Sequence, residues 1–209
     1  MRIARVAVGL LLTLVGLSVT VVGAVAAFWL VGPDNTLTTS EKRLTSEGLS
    51  VMTAPDLLDR HGATLHVTAL AHKPVFIGIG QDIDVANYLR ASEHTRVVRY
   101  TPPSDLDTQE MQGRATALKP PTRLSWWVAK ASGPDEQSIA WPIADGQHDL
   151  VVMNSDGSPA VDAKVTFGVE IDGAFAVCLL VFGAGTVLLI LGLLLVARRK
   201  LGTTAPPSR

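Results

Sequence analysis

The 209-residue chain contains one cysteine, which excludes a disulfide within it and leaves its fold to packing alone. Acidic residues are missing from both ends: all 19 lie between Asp34 and Asp172. Six basic residues stand outside that span, namely Arg2, Arg5, Arg198, Arg199, Lys200 and Arg209. The net charge of −1 excludes a strongly basic nucleic-acid binder and a wholly acidic disordered chain, so nucleic acid is not expected as a partner. That charge is a sum of unlike parts. The middle carries 12 basic against 19 acidic residues, a net −7, while the ends are basic throughout. Catalytic signatures are absent too: there is no Gly-x-Ser-x-Gly elbow, no His-Glu-x-x-His helix and no phosphate loop. No catalytic residue, cofactor or metal is therefore assigned, and the chain is read as non-enzymatic.

What is present in quantity is unbroken apolar sequence, in line with the mean hydropathy of +0.31. Val6 to Gly32 is a run of 27 residues without a charge, and Gly173 to Ala197 a run of 25. At about 1.5 Å per residue a helix of either length exceeds a ~30 Å hydrocarbon core, and neither run has the polar stripe of a soluble amphipathic helix. Arg2 and Arg5 precede the first run and Arg198, Arg199 and Lys200 follow the second, which by the positive-inside rule places both termini in the cytoplasm. The expected organisation is a cytoplasmic N-terminus at 1–5, a first transmembrane helix at 6–32, an extracytoplasmic tether at 33–48, an extracytoplasmic domain at 49–172, a second helix at 173–197 and a cytoplasmic tail at 198–209. Ala24-Val25-Ala26 leaves a cleavable signal peptide as a competing reading. The apolar run continues through Phe28, Trp29, Leu30 and Val31, longer than a typical signal core, and favours a retained helix.

Small residues recur along the first run as Gly9, Thr13, Gly16, Thr20, Gly23 and Ala27, in alternating steps that keep them on one helical face. Cys178, Gly185 and Gly192 form a shorter counterpart in the second. In a bilayer, small residues let helix backbones approach and gain dispersion contacts, so an antiparallel pair packed along these seams is expected, with threonine able to hydrogen-bond across.

The middle of the chain reads as strands. Ala63 to Ala71 alternates with period two, and Pro74 to Gly80, Thr95 to Thr101, Leu124 to Ser132, Gln137 to Ile143, Asp149 to Asn154 and Val161 to Ile171 follow, with turn signals at Gly133-Pro134, Asp145-Gly146 and Asp156-Gly157. Asp82 or Asp84 is expected to cap one short helix through Leu89. The fold class is a mainly β ectodomain, an antiparallel β-sandwich of meander connectivity with one short helix, flanked by two transmembrane α-helices. Thr101 to Thr122, with Pro102, Pro103, Pro120 and Pro121, is expected as a long excursion.

Several clusters suggest chemistry. Gly78-Ile79-Gly80 has the look of a phosphate loop, but Asp82 and Asp84 put negative charge where a phosphate needs amides, and a tight strand exit is the better reading. His61, His66 and His72, near Asp59, lack a diagnostic metal-ligand spacing. Asn154-Ser155-Asp156-Gly157 opens like a calcium loop without its later glutamate and reads as a β-turn. Trp126 and Trp127 are the candidate ligand or partner residues. Adjacent strand residues face opposite sides, so one indole is expected outside the core, available to a sugar ring or a protein partner.

Three stretches, PVFIGIGQDIDVANYL (Pro74 to Leu89), WVAKASGPDEQSIAWPIADG (Trp127 to Gly146) and LVVMNSDGSPAVDAKVTFGV (Leu150 to Val169), together resemble a group of actinobacterial two-span membrane proteins with an extracytoplasmic β domain. The resemblance implies that domain and the two spans, and carries no activity. It has no counterpart between Tyr100 and Arg123. The function expected is that of a multi-pass cell-membrane protein with residues 33–172 outside the cytoplasm, acting as an interaction or accessory subunit of an envelope complex. Its partners would be the lipid bilayer and a membrane or envelope protein, with a homo-oligomer left open. A ligand- or glycan-binding module and an envelope enzyme are the alternatives.

Overall fold

The computed structural model of the protein describes residues 2–54, 58, 62–101 and 105–197. The basic tail at 198–209, Asp59, His61 and the Pro102-Pro103 pair lie outside them. The chain divides into two compact units, one of Met1–Thr36 with Gly173–Arg209, the other of Leu37–Asp172.

The first unit is a helical pair. α1 (Arg2–Val25) continues as a π-helical segment, Ala26–Val31, and α3 spans Ala174–Ala197. Both are long and apolar enough to cross a membrane. Their outward residues are bare, with Leu14 at 69%, Leu180 at 74% and Trp29 at 87% exposure. They meet along the small residues. Gly16 abuts the backbone of Leu188 and Leu189, and a Cβ at Gly23 would stand 2.6 Å from the Phe182 nitrogen. Gly185 and Gly192 leave the same 2.5 Å clearance against the nitrogens of Thr20 and Thr13, and Gly9 faces Val196 and Leu195. Residue numbers rise along one helix as they fall along the other, which makes the pair antiparallel. The threonines do not bridge it: Thr13 Oγ1 donates to Gly9 O at 2.8 Å and Thr20 Oγ1 to Gly16 O at 2.7 Å, each within α1. A hydroxyl one turn from a backbone carbonyl of its own helix finds an acceptor without help from a neighbour. Within the π-helical segment, Phe28 packs edge-on to Phe175 and Phe182, with centroids 6.1 and 6.5 Å away. Asn35, at φ 58°, accepts from the Phe175 N–H at 2.9 Å and so satisfies one of the free amides that open α3.

The second unit contains eleven strands among the described residues: β1 (Thr36–Thr38), β2 (Lys42–Ser46), β3 (Ser50–Thr53), β4 (Ala63–Ala71), β5 (Val75–Gln81), β6 (His94–Thr101), β7 (Asp105–Met111), β8 (Ala129–Gly133), β9 (Gln137–Pro142), β10 (His148–Asn154) and β11 (Val161–Ile171), with α2 (Asp82–Leu89) after β5. They form a five-stranded sheet, β1-β11-β4-β9 with β2 also on β11, and a six-stranded sheet, β7-β6-β3-β10-β5-β8. The two sheets share a core. Leu65, Val67 and Ala69 of β4, Ile139 and Trp141 of β9 and Val161, Ala163 and Val165 of β11 supply one side; Val51, Ile77, Ile79, Leu150 and Val152 supply the other.

Three expectations change. The connectivity is not a meander, because β4→β5, β8→β9 and β10→β11 each pass from one sheet to the other, and β3 and β6 are parallel, with Val51 opposite Thr95. Residues 33–48 are not a bare tether: they hold β1 and β2, and Lys42–Ser46 buries Leu44 and Ser46 alone against β11, too little apolar alternation to be read in advance. The excursion begins as a strand, since β7 pairs along β6 as an edge; its sequence DLDTQEM is exposed almost throughout, and an acidic edge strand needs no apolar period.

Candidate functional site

Strands β5 and β10 are buried along almost their whole lengths, which a sheet with one solvated face does not allow. A third layer lies outside the six-stranded sheet, made of α2 and the segment 112–128. Val85 and Leu89 anchor α2, and Tyr88 reaches across to donate its hydroxyl to Lys119 O at 2.6 Å. Burial pushes the Tyr88 hydroxyl pKa up. Trp127 is buried against Phe76, with ring centroids 4.9 Å apart, and donates Nε1–H to Pro121 O at 3.0 Å. Trp126, half-buried, lies against Trp127 at 4.0 Å and edge-on to Tyr88 at 5.9 Å.

The two glycines of β5 make room for these rings. A Cβ on Gly78 would stand 2.6 Å from Phe76 Cε1 and 2.7 Å from Trp127 Cε3, and one on Gly80 2.5 Å from Trp126 Cζ3. Both glycines are inside the strand, so close aromatic approach replaces the strand-exit reading. The tryptophans precede β8 and do not belong to it, which removes the premise that they alternate across a sheet. Both rings sit on the same covered face, over Gly78 and Gly80, and the Trp127 bond to Pro121 O ties that stretch of chain to itself.

Beside this aromatic cover lies a carboxyl pair. Asp149 of β10 stands opposite Gly80 in register, is 0% exposed, and neither of its oxygens meets a hydrogen-bond donor. Asp82, two residues beyond Gly80 and half-buried, opens α2 with its carboxyl within hydrogen-bonding reach of Asp149. Two ionised carboxylates are both acceptors, so a bond between them needs a proton. The Asp82 amide is not free to serve instead, because it donates to Gln147 O at 3.0 Å. Neither Asp82 nor Asp84 caps α2; both stand in its first turn. Burial, reinforced by the charge of Asp82, pushes the Asp149 carboxyl up to about 7, and Arg96 of β6 opposes the shift. The Nε of Arg96 is itself buried without an acceptor.

Among the described residues the histidines do not converge. His66 pairs with Glu170 at 2.7 Å on the outer face of the five-stranded sheet, His72 is exposed, and His94 is buried with Nδ1 2.9 Å from Ser92 O, its pKa lowered chiefly by burial. Among the described residues no group of three or more His, Cys, Asp or Glu is placed to hold a metal. Asn154 to Gly157 is a turn closed by Gly157 N–H to Asn154 O at 2.9 Å, with the Asn154 amide donating to Ser158 O and Pro159 O at 3.0 Å.

The molecule is thus a β-sandwich with an aromatic cover, carried in one chain with two helices long and apolar enough to span a bilayer. No protein-family model matches the chain, and no curated protein matches it in sequence.

Proposed function

We propose that the chain is an integral membrane protein of the cell envelope, both termini cytoplasmic and residues 33–172 outside, serving without catalysis as an interaction or accessory subunit. The helical pair carries the reading: its helices pack backbone to backbone through glycine while large apolar side chains such as Leu14 and Leu180 face outward, an arrangement suited to lipid. The basic residues that flank the apolar runs supply the orientation. The resemblance to actinobacterial two-span proteins belongs to the same proposal. The glycan-binding alternative needs an indole face free for stacking; Trp127 is 7% exposed and Trp126 lies against it, which leaves the accessory reading first.

Affinity purification from membranes in mild detergent tests the role, with a stoichiometric copurifying envelope protein as the expected result; recovery of the chain alone overturns the accessory reading. Orientation is tested separately in a Cys178→Ala background, where a cysteine at exposed Asp135 should react with an impermeant maleimide in intact cells. Labelling only after lysis reverses the topology. Release of the chain from membranes by alkaline carbonate removes the spanning reading itself.

A further inference from the structure

We propose that the Asp82–Asp149 carboxyl pair is a proton-binding site that ties the hold of α2 on the six-stranded sheet to pH. The geometry is independent of the membrane reading. Asp149 is fully buried with both oxygens unpaired, and a second carboxyl, that of Asp82, stands on the first turn of the helix that follows Gly80, the residue paired with Asp149 in the sheet. A buried carboxylate without donors is costly, and a second negative charge beside it raises that cost; one shared proton removes a charge and supplies the missing hydrogen bond together.

Among the described residues, the charged groups that act on Asp149 are Asp82 from α2 and Arg96 from β6. β5 faces it with Gly80, and Trp126 of the segment 112–128 stands over that glycine. Arg96 acts on Asp149 through its field and donates no hydrogen bond to its oxygens. With the proton bound, α2 is fastened at its start by Asp82 and along its length by Val85 and Leu89. Once the proton leaves, two adjacent carboxylates repel at that start, and the helix and the Tyr88 ring that meets both tryptophans are held less tightly.

The sign follows from linkage. An unfolded aspartate titrates near pH ~3.9, whereas Asp149 in the folded chain titrates at about 7. The folded state therefore binds its proton more tightly. The stability this confers is fully present below pH ~4 and is lost as pH rises through about 7.

The test uses the full chain in detergent, with Tm followed against pH. For the native protein the contribution of the pair should lower Tm by roughly 5–10 °C between pH 5 and pH 8. Asp149→Asn should flatten that slope and raise Tm at pH 8, because its amide can donate to Asp82. Asp82→Asn should reduce the slope by a smaller amount. An unchanged slope in Asp149→Asn overturns the proposal. Should that variant fail to fold, the native protein still decides the matter: an infrared carbonyl band of a protonated carboxylic acid, lost with a midpoint near 7, supports it, and absence of the band at pH 5.5 overturns it. A rise in native Tm at pH 8 on adding calcium, beyond an ionic-strength control and absent from Asp149→Asn, would assign the pair to a cation and overturn the proton site.

Discussion

The helical pair and the sandwich both depend on glycine, in opposite ways. In the helices Gly16, Gly23, Gly185 and Gly192 bring backbone against backbone, so the gain is many small dispersion contacts spread along a seam. In β5, Gly78 and Gly80 give up their own side chains to seat Trp127 and Trp126, so the gain is concentrated in two large rings. Small residues do not bury much surface by themselves. What they secure depends on the neighbour they admit: another helix axis where side chains would otherwise keep the axes apart, or an aromatic ring where a sheet face would otherwise stand open.

That contrast predicts unequal damage. Trp127→Ala removes a buried ring together with its bond to Pro121 O, and should cost about 4 kcal/mol, read as a lower denaturation midpoint of the full chain in detergent. A loss under about 1 kcal/mol would show that the cover layer closes over the gap and that the ring is not concentrated support. Gly16→Ile drives a branched side chain into the Leu188–Leu189 backbone and should cost about 2 kcal/mol by over-packing, because the helices can part locally. Its readout is crosslinking by a short bismaleimide between cysteines at Phe28 and Phe175 in a Cys178→Ala background, which should fall together with Gly23→Ile; undiminished crosslinking would refute the seam as the determinant of pairing. Thr20→Val should be the mildest, under about 1 kcal/mol, since the hydroxyl it deletes bonds to Gly16 O within α1. A larger loss would mean that this hydroxyl serves the opposite helix.

Where burial imposes a period, the strands were readable from the sequence. Ala63–Ala71 and Val161–Ile171 have the bounds that their alternation predicts, because each packs one face into the core and leaves the other wet. β1, β2 and β7 escaped notice for the converse reason: they are edge strands stabilised by backbone pairing, and Leu44 is the one apolar residue that β2 contributes to the core, while the central β3 escaped because four residues are too few to display a period. The parallel β3–β6 pair and the crossings between sheets have no local signature, since pairing partners are chosen by the assembled sheet. The site shows the same limit. The tryptophans stood out as residues, but their placement before β8 and the third layer they form were not legible, and Asp149 looked like an ordinary first residue of a strand following a turn.

The sequence by itself determined the apolar lengths, their basic flanks, the small-residue stripes and the periods of the two-faced strands, because each of these is set by covalent order and a fixed helical or pleated repeat. Tertiary structure alone decided which face of the six-stranded sheet would be covered, that Gly78 and Gly80 would answer to indoles, and that the half-buried Asp82 would come to act on the buried Asp149, 67 positions away. Those outcomes depend on which distant surfaces exclude water together, and water exclusion is a property of the folded whole.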